Sequence, residues 1–303
     1  QLVSHQLKVL GEHRELHDKV EFEIVITCSD FSPKIMRQRL TEAGFKPAEC
    51  DDIEASIQAL TAKLLKSGSP NLEALISQAN LLLIPRGDFA GISPLEHVDE
   101  LFKDTRKYGT LPFSQLARHG FIGVQLLRSL VERNVFSTHD MEHFMRGVHT
   151  IATDLIHDMH ALSTETLDQD TFLTRYGHLR PGTYDISSWR YDERPDLYLG
   201  KAGHKVPETI VAFEPSAKQR RSIETLLKEA GFDMSPQALL HYIATAIQGR
   251  EQSKFAFTRS ISDALKVLSD WGHNLGLSRD DLSFLPISTL FENARHEDLI
   301  EQI

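Results

Sequence analysis

Between Leu111 and Arg133 the residues Leu116, Gly120, Val124, Leu127 and Val131 recur every three or four positions. That is the helical period, and it commits the segment to a helix with one buried stripe. Ala117, Gly120 and Gly123 thin one face of the same helix, which lets a second backbone approach it closely. Whatever else the chain does, it has to supply that close neighbour.

The surrounding punctuation is helical too. Ser32-Pro33 reads as a cap with Pro at the first helical position, and Gly44 as the stop. Asp51 and Asp52 open a helix with Ile53, Ile57, Leu60 and Leu64 on one face, ended by Gly68, and Asn71 opens another. Ser93-Pro94-Leu95-Glu96 is a capping box that starts a helix to about Lys107. Ser137 to Asp140 opens a long helix carrying Phe144, Val148, Ile151, Leu155 and Leu162. After Pro215 come a helix over 216–230, one through Leu239 to Ile247, one from Phe255 to Trp271, and a last turn capped by Ser278. The exception is 20–28, VEFEIVITC, whose Val, Phe and Ile alternate with Glu and predict a strand with no partner downstream. The expected fold is therefore mainly α, a multi-helix domain with one short strand region near the N-terminus. Proline and glycine crowd 195–215, so the expected division is a helical domain over 1–194, a linker over 195–215 and a second helical subdomain over 216–303.

Composition excludes some functions. Net charge is −10, with 33 basic against 43 acidic residues, which argues against a general nucleic-acid or anionic-membrane surface. No apolar run reaches the roughly 20 residues of a membrane helix. The two cysteines, Cys28 and Cys50, have neither metal nor redox spacing, and a cytoplasmic location is expected. No metal site is expected: His139 and His143 share a helix face, but Asp140 stands where the zinc-protease pattern needs Glu.

Two stretches carry candidate chemistry. Residues 176–199, YGHLRPGTYDISSWRYDERPDLYL, are too broken by Gly and Pro for one helix. Gly177 suits a left-handed helix stop, and the loop after it presents His178, Arg180, Tyr184, Asp185, Arg190 and Asp192. The same residues also fit a structural loop whose Arg and Asp side chains pair with each other. Arg250 and Lys254 lie four apart on a helix and would repel unless an anion sits near them, a role that suits a phosphate. They also fit an ordinary solvated face with Glu251 nearby.

Four segments resemble phosphoenolpyruvate-synthase-like phosphotransferases, closest to the L-glutamine kinases of capsular polysaccharide phosphoramidate synthesis. They are 16–28 (LHDKVEFEIVITC), 106–131 (RKYGTLPFSQLARHGFIGVQLLRSLV), 172–198, and 249–285, which opens GREQSK. The rifampicin phosphotransferases carry a looser version. Trp189 stands where the family pattern has a proline before the Arg, and His119 where a small residue is usual. The resemblance implies the central, acceptor-binding part of an ATP-dependent transferase. Nucleotide-binding and phosphohistidine domains of the same protein would be its partners, and they would bind ATP and Mg²⁺. Arg250 and Lys254, matching an Arg-Glu-x-x-Lys motif, would serve transfer. His178, Arg180, Tyr184, Asp185 and Arg190 would help hold a small-molecule acceptor, L-glutamine by resemblance. Rival expectations are another acceptor of the same superfamily (pyruvate, water or an antibiotic hydroxyl) and a free-standing helical binding or scaffold module without catalysis.

Overall fold

A computed structural model describes residues 2–12, 25–84, 91–200 and 212–293 of the chain. Among these the fold is mainly α, with thirteen α-helices and no strand. They are α1 (Leu2–Glu12), α2 (Pro33–Glu42), α3 (Pro47–Asn80), α4 (Pro94–Asp104), α5 (Leu111–Glu132), α6 (Thr138–Gly147), α7 (Ile151–Ser163), α8 (Gln169–Tyr176), α9 (Pro195–Tyr198), α10 (Ala217–Glu229), α11 (Pro236–Asn274), α12 (Arg279–Ser283) and α13 (Ile287–Asn293).

Two compact units are assembled from these, each from three stretches of chain: the described residues of 1–75, 114–149 and 209–250, and those of 76–113, 150–208 and 251–303. The boundary expected at 195–215 falls largely on 201–211, outside the described residues.

In the first unit the thinned face of α5 meets α11, as its small residues predict. A methyl at Gly123 would lie 3.4 Å from the Ile243 Cα, and one at Gly120 would lie 3.0 Å from the Arg250 Cδ. Leu116, Ile122, Leu126, Leu127 and Leu130 of α5 are buried, as are Leu239, Tyr242 and Ile243 of α11. His119 joins them, its Nδ1 2.8 Å from the Tyr242 hydroxyl. Burial, then the neighbouring Arg118, holds its pKa below the usual imidazole value.

Of the strand expected over 20–28, residues 20–24 lie outside the described residues, and 25–28 form no strand. Side chains of helices replace the missing ladder around this segment. The Ser29 N–H donates to the Thr61 hydroxyl at 3.0 Å and the Phe31 N–H to the Ser129 hydroxyl at 3.3 Å. Buried backbone donors are thus satisfied without a partner strand.

Other expectations shift for physical reasons. Neither Gly68 nor Asn71 interrupts α3. Glycine costs a helix about 1 kcal/mol, whereas each fully buried leucine returns about 1.5–3 kcal/mol, and Leu65, Leu72 and Leu75 are all buried. The long helix expected from Ser137 is two. It breaks at Val148, which is extended (ψ 107), and Thr150 caps the restart. Some start signals fail, since Ser32 makes no side-chain cap bond and Asp51 and Asp52 lie inside α3, but four serine caps are realised. Ser93, Ser137, Ser216 and Ser278 each accept from the third helical N–H with the reciprocal bond in place.

In the second unit, Leu95, Val98 and Leu101 of α4 pack with Ala264 and Leu268 of α11, Leu282 of α12 and Ile186. A π-helical stretch, Thr105–Thr110, follows α4. Its Gly109 sits so close to α11 that a methyl there would lie 2.5 Å from the Phe257 Cβ. A smaller cluster of Leu82, Ala256 and Phe257 lies on that side.

Candidate functional site

Residues 176–199 form a closed loop at the end of α8. Its neck is tied by backbone bonds: Asp192 N–H to Gly177 O at 3.1 Å and Tyr191 N–H to Leu179 O at 2.9 Å. Gly177 is right-handed (φ −55), so the left-handed stop expected there is not what it provides. Closeness is the reason for glycine: a methyl would collide with the Leu173 carbonyl and lie 2.9 Å from the Asp192 Cβ.

Arg180 holds the loop together from within. It is 6% exposed. Its Nε donates to the Ser262 hydroxyl at 3.1 Å and its Nη2 to the Ser262 carbonyl at 3.1 Å, while Nη1 donates to the Ser188 carbonyl at 3.1 Å and the Asp185 carbonyl at 3.3 Å. Ser262 in turn donates its hydroxyl to the His178 carbonyl at 2.6 Å. Burial lowers the Arg180 pKa to about 10, with Glu193 opposing the shift. Arg190 is likewise engaged. It grips Asp192 through two bonds, at 2.9 and 2.6 Å, and Asp263 of α11 at 2.6 Å. Burial works against its charge, yet the two carboxylates outweigh it and the net shift is upward.

The remaining loop residues differ among themselves. Asp185 caps its own turn, accepting from the Ser187 N–H at 2.9 Å and the Ser187 hydroxyl at 2.7 Å, bonds that hold its pKa below the usual carboxylate value. Tyr184 projects outward at 64% exposure. Trp189, at the position where the resemblance departs from the family pattern, carries the Arg279 guanidinium 4.0 Å above its ring. Arg279 also pairs with Glu193 and donates to the Ile186 carbonyl.

His178 stands apart. Only 3% of it is exposed, and neither ring nitrogen makes a hydrogen bond of ordinary geometry. Its ring meets Phe255 of α11 edge to face, with centroids 4.7 Å apart. Burial, then Arg259 and Arg190, push its pKa down to about 3, and only the Arg175 carbonyl favours the charged form. The ring is therefore neutral, one nitrogen a donor and the other an acceptor.

On α11, Phe255, Arg259 and Ser262 follow at i, i+4 and i+7 and so share the face that meets the loop. Arg259 is half-buried. No carboxylate among the described residues pairs with it; Asp263, one turn on, is taken by Arg190. Lys254 precedes Phe255, is exposed, and has no ion pair among the described residues. Arg250 belongs to the first unit, where its stem lies over Gly120 and its guanidinium 5.6 Å from the Phe121 ring centre.

Of the residues the sequence singled out, Arg180, Asp185 and Arg190 are thus bonded within the protein, as a self-paired loop requires. The His178 ring makes no hydrogen bond of ordinary geometry and the Lys254 side chain no ion pair among the described residues. Arg259 was missed, because a lone arginine in a helix has no spacing signal to mark it. Among the described residues no group of three or more His, Cys, Asp or Glu is placed to hold a metal, and none of the helices is long and apolar enough to cross a membrane. Comparison with protein-family models, with curated proteins and with solved structures finds no match for the chain.

Proposed function

We propose that this chain is the acceptor-receiving part of an ATP-dependent phosphotransferase of the phosphoenolpyruvate-synthase-like kind. ATP with Mg²⁺ supplies the phosphoryl group through a histidine carried on another domain of the same protein. The acceptor is the side-chain amide nitrogen of L-glutamine. In the transfer step the bond from phosphorus to the carrier imidazole breaks, a bond from phosphorus to the amide nitrogen forms, and the proton that this nitrogen gives up ends on the released imidazole.

One observation carries this reading. The 176–199 loop is rigidly braced by Arg180 and Arg190, while the buried imidazole of His178 beside it makes no hydrogen bond of ordinary geometry, only a weak approach to the Arg175 carbonyl. Buried polar groups are nearly always satisfied, and an exception calls for a functional explanation. Lys254, next in sequence to the phenylalanine on which that imidazole packs, is a cation able to steady charge on a moving phosphoryl group.

The self-pairing of Arg180 and Arg190 favours a second reading, a helical binding module with no chemistry of its own. Phosphorus NMR separates the two. The protein encoded by the whole gene is incubated with ATP, Mg²⁺ and L-glutamine, then with pyruvate or no acceptor. A P–N resonance that requires glutamine and is lost in Lys254→Ala supports the first reading. Its absence in the parent protein refutes it.

A further inference from the structure

We infer that Arg259 and His178 form an anion-binding pair that anchors a phosphoryl or carboxylate group of whatever the 176–199 loop receives. The inference rests on the loop being a ligand site, but not on phosphoryl transfer.

Geometry places the two together. The His178 imidazole packs on Phe255, and the His178 carbonyl is bonded to Ser262. Arg259 sits between those two contacts on the same face of α11. It is close enough for its charge to be, after burial, the largest influence on the imidazole. Arginine at such a place normally finds a carboxylate. Asp263 lies one turn on along α11, yet Arg190 holds it together with Asp192, and Arg279 holds Glu193.

What is left is one half-buried guanidinium without a counter-ion among the described residues and one buried imidazole without a hydrogen bond of ordinary geometry, approached from α8 by the Arg175 carbonyl. Each lacks the same thing. An anion beside Arg259 gains a forked, charge-assisted pair of N–H bonds. It also accepts from the N–H of the neutral imidazole, whose empty state carries an unsatisfied-donor penalty of about 1–3 kcal/mol. A cation is repelled by Arg259 and Arg190, whose charges both reach the imidazole, and an apolar group adds no hydrogen bond to it. Protonation of His178 is not needed, so the anion meets one fixed charge and one dipole.

The test uses the chain with nitrogen-15 in its histidines. Imidazole resonances are followed while inorganic phosphate, and separately acetate, is added; the His178 signal is assigned as the one missing from His178→Asn. The expected result is a saturable shift at His178, and a dissociation constant weakened roughly ten- to a hundredfold in Arg259→Gln, the worth of a charge-assisted bond. A response to phosphate alone assigns the pair to a phosphoryl group, and a response to acetate assigns it to a carboxylate. The inference is overturned if neither anion moves the His178 signal, or if Arg259→Gln, folded by circular dichroism, binds as the parent does. Anion binding in a protein that transfers no phosphate would sink the proposed function and leave this pair standing.

Discussion

Replacing His178 by phenylalanine should stabilise the protein against acid. In the folded chain the imidazole pKa is about 3, against 6.5 in the unfolded one. The unfolded state therefore takes up the proton first. The contribution of this group is complete above about pH 6.5 and is lost as pH falls toward 3. Each pH unit below 6.5 removes about 1.4 kcal/mol, so at pH 5 the parent has lost about 2 kcal/mol through this residue. The groups responsible are Arg259 from α11, Arg190 from the loop and the burial itself, with the Arg175 carbonyl of α8 opposing them. Phenylalanine keeps a ring against Phe255 and cannot titrate. It also removes two buried nitrogens that make no hydrogen bond of ordinary geometry, so at pH 7 the variant should be no less stable than the parent. Urea unfolding at pH 7 and pH 5 measures both effects. His97 and His119 are also held below the usual imidazole value, but they are present in both proteins and cancel in the difference. An equal pH loss in parent and variant, or a variant several kcal/mol weaker at pH 7, would show that His178 is satisfied and ordinary.

Two further outcomes test the packing. Leu127→Ala, at a side chain 1% exposed, should cost about 2–5 kcal/mol; an unchanged melting temperature would mean that the buried face of α5 is misassigned. Gly109→Ala puts a methyl 2.5 Å from the Phe257 Cβ and 3.2 Å from the Leu82 Cδ1. The overpacking, about 1–3 kcal/mol, should exceed the gain of up to about 1 kcal/mol in helix propensity. A higher melting temperature would refute that close approach.

Much of the fold was legible because helices announce themselves locally. Ser93, Ser137, Ser216 and Ser278 cap where the sequence says they should, and Gly44, Gly231 and Gly276 take positive φ at helix ends. The small residues of α5 predicted its close neighbour, and Leu116 and Leu127 of its stripe are buried, but Val124 and Val131 are only partly so, and Ile122, Leu126 and Leu130 off the stripe are buried instead. What failed depended on distant contacts. Gly68 does not stop α3, because leucines on either side of it are buried. The sequence from Ser137 reads as one helix, yet Val148 turns extended there and is buried. Residues 25–28 lie among helices whose hydroxyls satisfy the donors just beyond them. The loop was visible as a cluster of polar and aromatic residues, but its division of labour was not. Which arginine braces and which stays unpaired is set by Asp192, Asp263 and Ser262 in space, and no spacing rule separates Arg180 from Arg259.

Hydrogen exchange of the chain with and without L-glutamine tests most directly whether the loop and the α11 face beside it receive a ligand. Slowed exchange confined to 176–199 and to 254–263 is the expected result. Exchange unchanged throughout, or slowed only at residues remote from both stretches, would contradict it.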